Sequence, residues 1–121
     1  MNLEELIIEA IDEGLSSIGK DCKKAIYFHL ESEYKLNKQQ IPFRIKDFSE
    51  AIEKIFGFGA KMLEIQILKI LFKKMGYINP QFYNREILDF VQYIEAARAN
   101  RNYLLRTQTQ LETPYQERVL S

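Results

Sequence analysis

The sequence predicts an all-α fold: a compact, four-helix bundle-like core followed by a longer fifth, C-terminal helix. Three observations carry this expectation. Apolar residues recur at intervals of three and four in five separate segments, the spacing of one helix face. No segment alternates apolar and polar residues with period two, as a half-buried strand would. Pro42, Gly57 and Gly76 fall between the segments, where a chain must turn.

The first helix is expected over 3–16. Leu3, Leu6, Ile7, Ala10, Ile11 and Leu15 form its stripe, and Glu4, Glu5, Glu9, Asp12 and Glu13 lie mostly opposite. Acids in the first turn suit the positive end of a helix dipole, while Gly14 and Ser16-Ser17 weaken the far end. The second helix is expected over 19–34, with Cys22, Ala25, Ile26, His29, Leu30 and Glu33 on one side and Tyr27 and Phe28 on the flanks. So much apolar circumference predicts the central helix of the bundle. Residues 37–42 read as a connector, because the residue before Pro42 avoids helical backbone angles.

The third helix, over 46–56, carries Phe48, Ala51, Ile52, Ile55 and Phe56 on one stripe, and Gly57 fits its C-terminal cap. The fourth is expected over 58–75 and stops at Gly76. Asn79-Pro80 then opens a turn or a helix. The fifth is expected over 84–105, with Ile87, Phe90, Val91, Ile94 and Ala97 repeating at helical spacing and a polar second half. The organisation expected is a helical core at 1–78, a C-terminal helix at 79–106 that docks or dimerises, and a flexible tail at 107–121.

Composition bounds the function classes. The chain has 121 residues, one domain's worth, with 46% hydrophobic and 28% charged residues. Lys+Arg and Asp+Glu are each 17, so the basic excess of a dedicated nucleic-acid binder is missing. The lone Cys22 cannot form an internal disulfide, which fits a reducing, cytoplasmic setting. No run of about 18 uncharged apolar residues predicts a membrane span, and the acidic start does not read as a secretory signal.

Glu64 breaks the pattern of its own helix. At 100° per residue it falls near the centre of an apolar arc made by Ala60, Leu63, Ile65, Ile67, Leu68, Ile70, Leu71 and Phe72. A carboxylate there must be solvated, paired or protonated. One reading is a functional acid in a cleft. The reading favoured is a structural carboxylate that pairs with Lys61 or caps another helix, because ion-pair networks perturb carboxylates as readily as catalysis does. Were it buried and paired, loss of one partner would cost about 3–5 kcal/mol.

His29, the only histidine, is expected on the core side of the second helix, bonded to Glu33 or to Glu64 across a helix pair. A phosphoacceptor role fails in detail, since His29-Leu30-Glu31-Ser32-Glu33 lacks both the Lys-Gly pair of phosphotransfer domains and the Glu-Leu-Arg-Thr-Pro run of kinase dimerisation helices. One histidine and one cysteine make no structural zinc site. Gly57-Phe58-Gly59-Ala60-Lys61 does not match a P-loop, and a tight helix–helix turn accounts for both glycines; Gly59 also offers a close approach to a neighbouring helix. Neither a metal nor a cofactor is expected. On the fifth helix, Ile87, Phe90, Val91, Ile94, Arg98 and Arg101 are the candidate partner interface, for docking, a two-fold pair, or both. Arg98, Arg101 and Arg106 also make a modest basic strip, with Tyr93 and Tyr103 nearby as stacking groups.

Ala10-Ile11-Asp12-Glu13, Ala25-Ile26-Tyr27-Phe28-His29-Leu30-Glu31, Ile41-Pro42 and Phe56-Gly57-Phe58-Gly59-Ala60-Lys61-Met62-Leu63-Glu64 follow one another in a recognisable order. In this order, over about residues 3–77, the chain resembles the Nitrosopumilus output domain type, a small archaeal helical domain. The resemblance implies a regulatory or output module of signal transduction, sometimes free-standing, and brings no catalytic residues. His29, Gly57, Gly59, Lys61 and Glu64 are family-like positions; the fifth helix and the tail lie outside the resemblance. The function expected is therefore protein–protein interaction in intracellular regulation, as a homodimer. A DNA-binding regulator using the basic helix is the alternative, and a small enzyme using Glu64 and His29 is third.

Overall fold

The computed structural model describes residues 2–76 and 89–99, and every regular element among them is helical. The elements are α1 (Leu3–Ser16), α2 (Lys20–Tyr34), a 3-10 turn (Lys38–Phe43), α3 (Ile45–Phe56), α4 (Gly59–Lys74) and α5 (Phe90–Ala99). None is long and apolar enough to cross a membrane.

α1 starts where its chemistry says it should. Asn2 Oδ1 accepts the Glu5 N–H at 2.8 Å, and Glu5 Oε1 accepts the Asn2 N–H at 3.1 Å. This reciprocal cap satisfies two donors that the first turn would otherwise leave open. The apolar stripe then buries Leu3, Ile7, Ala10, Ile11 and Leu15 against α4, its main partner. Gly14 is the point of closest approach. A Cβ built there would sit 2.6 Å from Cγ1 of Ile67, itself fully buried. The glycine that the sequence presents as a weak helix end is thus a packing requirement. Gly14→Ala is expected to lower stability by roughly 1–2 kcal/mol through overpacking, against the small gain alanine brings to a helix. Urea denaturation checks this; an unchanged midpoint would mean α1 and α4 slide apart freely.

α4, not α2, is the central helix. It buries Ala60, Leu63, Glu64, Ile65, Ile67, Leu68 and Leu71, and it touches α1, α3 and α5. α2 buries only Ile26 and Leu30. Its inward line runs through Lys23, Ile26, Tyr27, Leu30 and Tyr34, rotated by roughly 90° from the expected line through Cys22, Ala25, His29 and Glu33. Those four are exposed. The cause lies in amphipathic side chains, which turn apolar stems inward while their polar tips find partners. Tyr27 Oη donates to Asp12 Oδ1 at 3.0 Å, Lys23 Nζ to Asp12 Oδ2 at 3.1 Å, and Lys38 Nζ reaches Asp12 Oδ1 at 3.1 Å while lying 5.2 Å from the Tyr27 ring centre. Burial raises the Asp12 pKa, but the bonds from Lys38, Lys23 and Tyr27 outweigh it and hold the carboxyl below its usual range. Burial, reinforced by Asp12, pushes the Tyr27 phenol up.

The expected connector at 37–42 is an ordered 3-10 turn. Asn37 and Gln40 cap one another at 3.0 and 3.1 Å, and Ile41 and Pro42 are buried beneath it. The α3–α4 turn forms around Gly57, whose φ of 56° and ψ of −124° suit only glycine without strain. Gly59 makes no close helix contact; a Cβ there would meet only Phe56 Cβ at an ordinary 3.8 Å.

α5 folds back onto α3 and α4. Asp89 caps it, with Oδ1 accepting the Gln92 N–H at 3.0 Å. Phe90, Ile94 and Ala97 belong to the same buried cluster as the other helices, and the Phe90 ring lies 6.2 Å from that of Phe48. Arg98 closes the structure by donating to Glu4 Oε2 at 2.8 Å and to the Pro42 carbonyl. Of the fifth helix expected over 84–105, only this stretch is described. Ile87, Arg101, Tyr103, Arg106 and the tail at 107–121 lie outside the described residues.

Candidate functional site

The chemistry concentrates where α3 hands over to α4. α3 presents Ser49 and Glu53 one turn apart, and α4 presents Lys61 and Glu64 on its first two turns. Both helices press their apolar stripes together, so the polar groups on the seam are carried inward. Glu64 is 1% exposed and Ser49 is 6% exposed. Ser49 Oγ donates to Glu64 Oε2 at 2.9 Å. That is one bond for a group able to accept four. Among the described residues Glu64 forms no ion pair, and no donor bonds its other oxygen.

A buried carboxylate with so little support holds its proton more tightly than an exposed one. Burial pushes the Glu64 pKa up to about 6; Ser49 and Lys61 pull against it, while Glu53 and Asp89 add to it. The group therefore titrates just below neutrality.

Two open recesses flank the seam. One, of about 430 Å³, is lined by Glu53, Gly57, Phe58, Ala60, Lys61 and Glu64. The other, of about 470 Å³, lies between α3 and the start of α5 and includes Lys46, Ser49, Glu50, Glu53 and Asp89. Glu53 borders both, and the Ser49–Glu64 bond joins their floors. Beside the first recess, Phe58 stands fully in solvent and Met62, one turn on, is 67% exposed.

The residues singled out from sequence scatter across this picture. Glu64 points inward as its phase requires, and Lys61 shares its recess without forming the expected ion pair with it. His29 is exposed and packs its ring edge-on to Tyr34 of its own helix, 5.8 Å between centres. It lines neither recess, so the acid–imidazole pair that an enzyme would need is not assembled there. Glu33 is likewise exposed rather than a buried partner of His29. Of the expected partner interface, Phe90 and Ile94 are consumed within the chain, Val91 is half-buried, and Arg98 is committed to Glu4 and Pro42. Among the described residues no three His, Cys, Asp or Glu side chains are placed to share a metal ion.

Sequence reasoning missed Ser49, Phe58 and Met62. A signal existed for Ser49, a polar residue inside the apolar stripe of α3 beside Phe48 and close to Ile52. None existed for Phe58, which reads as the first apolar residue of a buried helix. Comparison with protein-family models, with curated proteins and with solved structures finds no match.

Proposed function

We propose that this chain is an intracellular regulatory module that acts by binding another protein, and that the contact is made at the α3–α4 turn. One observation carries the reading: Phe58, which lines a recess together with Glu53, Lys61 and Glu64, stands in solvent, and so does Met62 one turn on. A single exposed apolar residue needs no explanation. An aromatic ring and a methionine together, beside a concavity, have the composition of an interface anchor. The motif order shared with the output-domain type supports the regulatory part of the reading, because Phe58, Met62 and Glu64 fall inside the stretch that carries the resemblance.

The DNA-binding alternative is less well supported, and so is the α5 stripe as the contact of the expected homodimer. Contact with DNA through α5 would need Arg98, which is already bonded, and the acidic recesses would repel phosphate. Self-association through the α5 stripe would need Phe90, Ile94 and Ala97, which already belong to the core.

Photo-crosslinking in the cell tests the reading. With benzoylphenylalanine replacing Phe58, a discrete adduct is expected that disappears when Met62→Asp is added. The same probe at Phe28, also exposed, serves as control. Equal adducts from both positions, or none from position 58, would overturn it. An adduct of twice the chain mass would identify a homodimer.

A further inference from the structure

We propose that the solvent-facing side of α2 pairs, antiparallel, with α2 of a second copy of this chain. This surface is distinct from the α3–α4 turn and does not depend on it. Opposite the buried line of α2 runs a line through Asp21, Ala25, Phe28 and Ser32, all exposed. Their spacing of four, three and four is that of a helix-pairing seam. Phe28, in its middle, is 72% exposed. In an antiparallel pair Phe28 of each copy lies over Ala25 of the other, a ring on a small side chain, and Asp21 meets Ser32 at either end.

Charge selects both the occupant and its direction. Asp21 apart, α2 opens with Lys20, Lys23 and Lys24 and closes with Glu31 and Glu33. That order opposes the helix dipole, which favours acids at the start and bases at the end. Lys23 is bonded to Asp12, but Lys24 and Glu31 form no ion pair among the described residues. They stand seven positions apart on one flank of the seam, where a pairing helix carries the charges that choose its partner. An antiparallel second copy answers this arrangement. Its acidic end lies beside the basic end of the first, Lys24 faces Glu31 twice across the two-fold axis, and the two dipoles oppose. A parallel pair would set like end against like end.

One helix pair is a small contact, so a Kd of about 100 µM is expected. The chain is then a monomer at the low-micromolar concentrations of an unfolding experiment. A crosslinking probe at Phe28 joins two copies, and its adduct differs in mass from one made at position 58 to another protein. Sedimentation equilibrium of the full chain from about 10 µM to about 1 mM measures the pairing. Lys24→Glu and Glu31→Lys are each expected to weaken it at least about tenfold, because each turns both cross-pairs repulsive. Both changes suit the dipole at their own end of α2, so the fold is retained, which circular dichroism checks. The double variant K24E/E31K is expected to recover the original Kd to within about threefold. Mixing the two single variants is expected to give a heterodimer, since one then carries only acids at the two positions and the other only lysines. A wild-type chain that stays monomeric over the whole range, single reversals that associate as well as the wild type, or failure of either the double variant or the mixture to associate would overturn the proposal.

Discussion

Phe90→Ala is expected to lower the free energy of unfolding by about 3–5 kcal/mol, the range for emptying a buried aromatic site. The ring is 2% exposed and tilts against Phe48, which is itself fully buried. The described turns of α5 are held against α3 and α4 through this ring and its neighbours in the core. Its removal therefore takes Ile94, Ala97 and the Arg98 bonds with it. Urea unfolding followed by circular dichroism at two protein concentrations provides the check. Were α5 a dimerisation element, the loss would grow on dilution; docking within one chain predicts a midpoint independent of concentration. A loss below about 1 kcal/mol would mean the α5 stripe is not a core stripe.

The second large effect has the opposite sign. Glu64→Gln is expected to raise stability at pH 7 by about 2 kcal/mol, from a pKa lifted from 4.5 to about 6 at 1.36 kcal/mol per unit. The sign follows from linkage. The folded state holds the proton more tightly than the unfolded state does, so the Glu64 contribution is fully favourable below pH 4.5. It is lost as pH rises through about 6, where the ionised form must be kept out of water. Glutamine keeps the volume and can still accept from Ser49 without that charge. The measurement is the difference in unfolding free energy between the two proteins from pH 4 to 8. A gap that opens across pH 4.5–6 and then stays level is the expected curve; a less stable variant at pH 7 would show that the carboxylate is held by charges beyond Ser49.

The sign reverses the sequence-based expectation for a paired carboxylate, and the reason is instructive. The phase of Glu64 was legible, because helical winding fixes direction from Gly59 onward. Its partner was not, because pairing depends on which neighbouring helix faces it. Lys61, one turn away on the same helix, was the visible candidate; Ser49, from a helix across the seam, is the one that bonds. Strong amphipathicity made α1 and α3 readable to within a residue or so of their ends, and the glycines at 57, 59 and 76 bounded α4 as closely. α2 was readable in extent and not in orientation. Cys22, Ala25 and His29 look apolar enough for a core, while Lys23 looks polar and Tyr27 reads only as a flank. Asp12 on α1 reverses the order by rewarding Lys23 and Tyr27 for facing inward, and nothing in the local pattern of α2 announces an acid on another helix. The role of Arg98 escaped for the same reason: its partners stand 94 and 56 positions earlier in the chain.

That long clasp bears on how the protein is made. When the ribosome has released α1 to α4, the grooves meant for Phe90 and Ile94 are still uncovered and the Phe48 ring lacks its cover. The nascent chain therefore passes through a stage with a sticky, incomplete surface, and closure waits for α5 to emerge, when the guanidinium of Arg98 latches onto the first turn of α1.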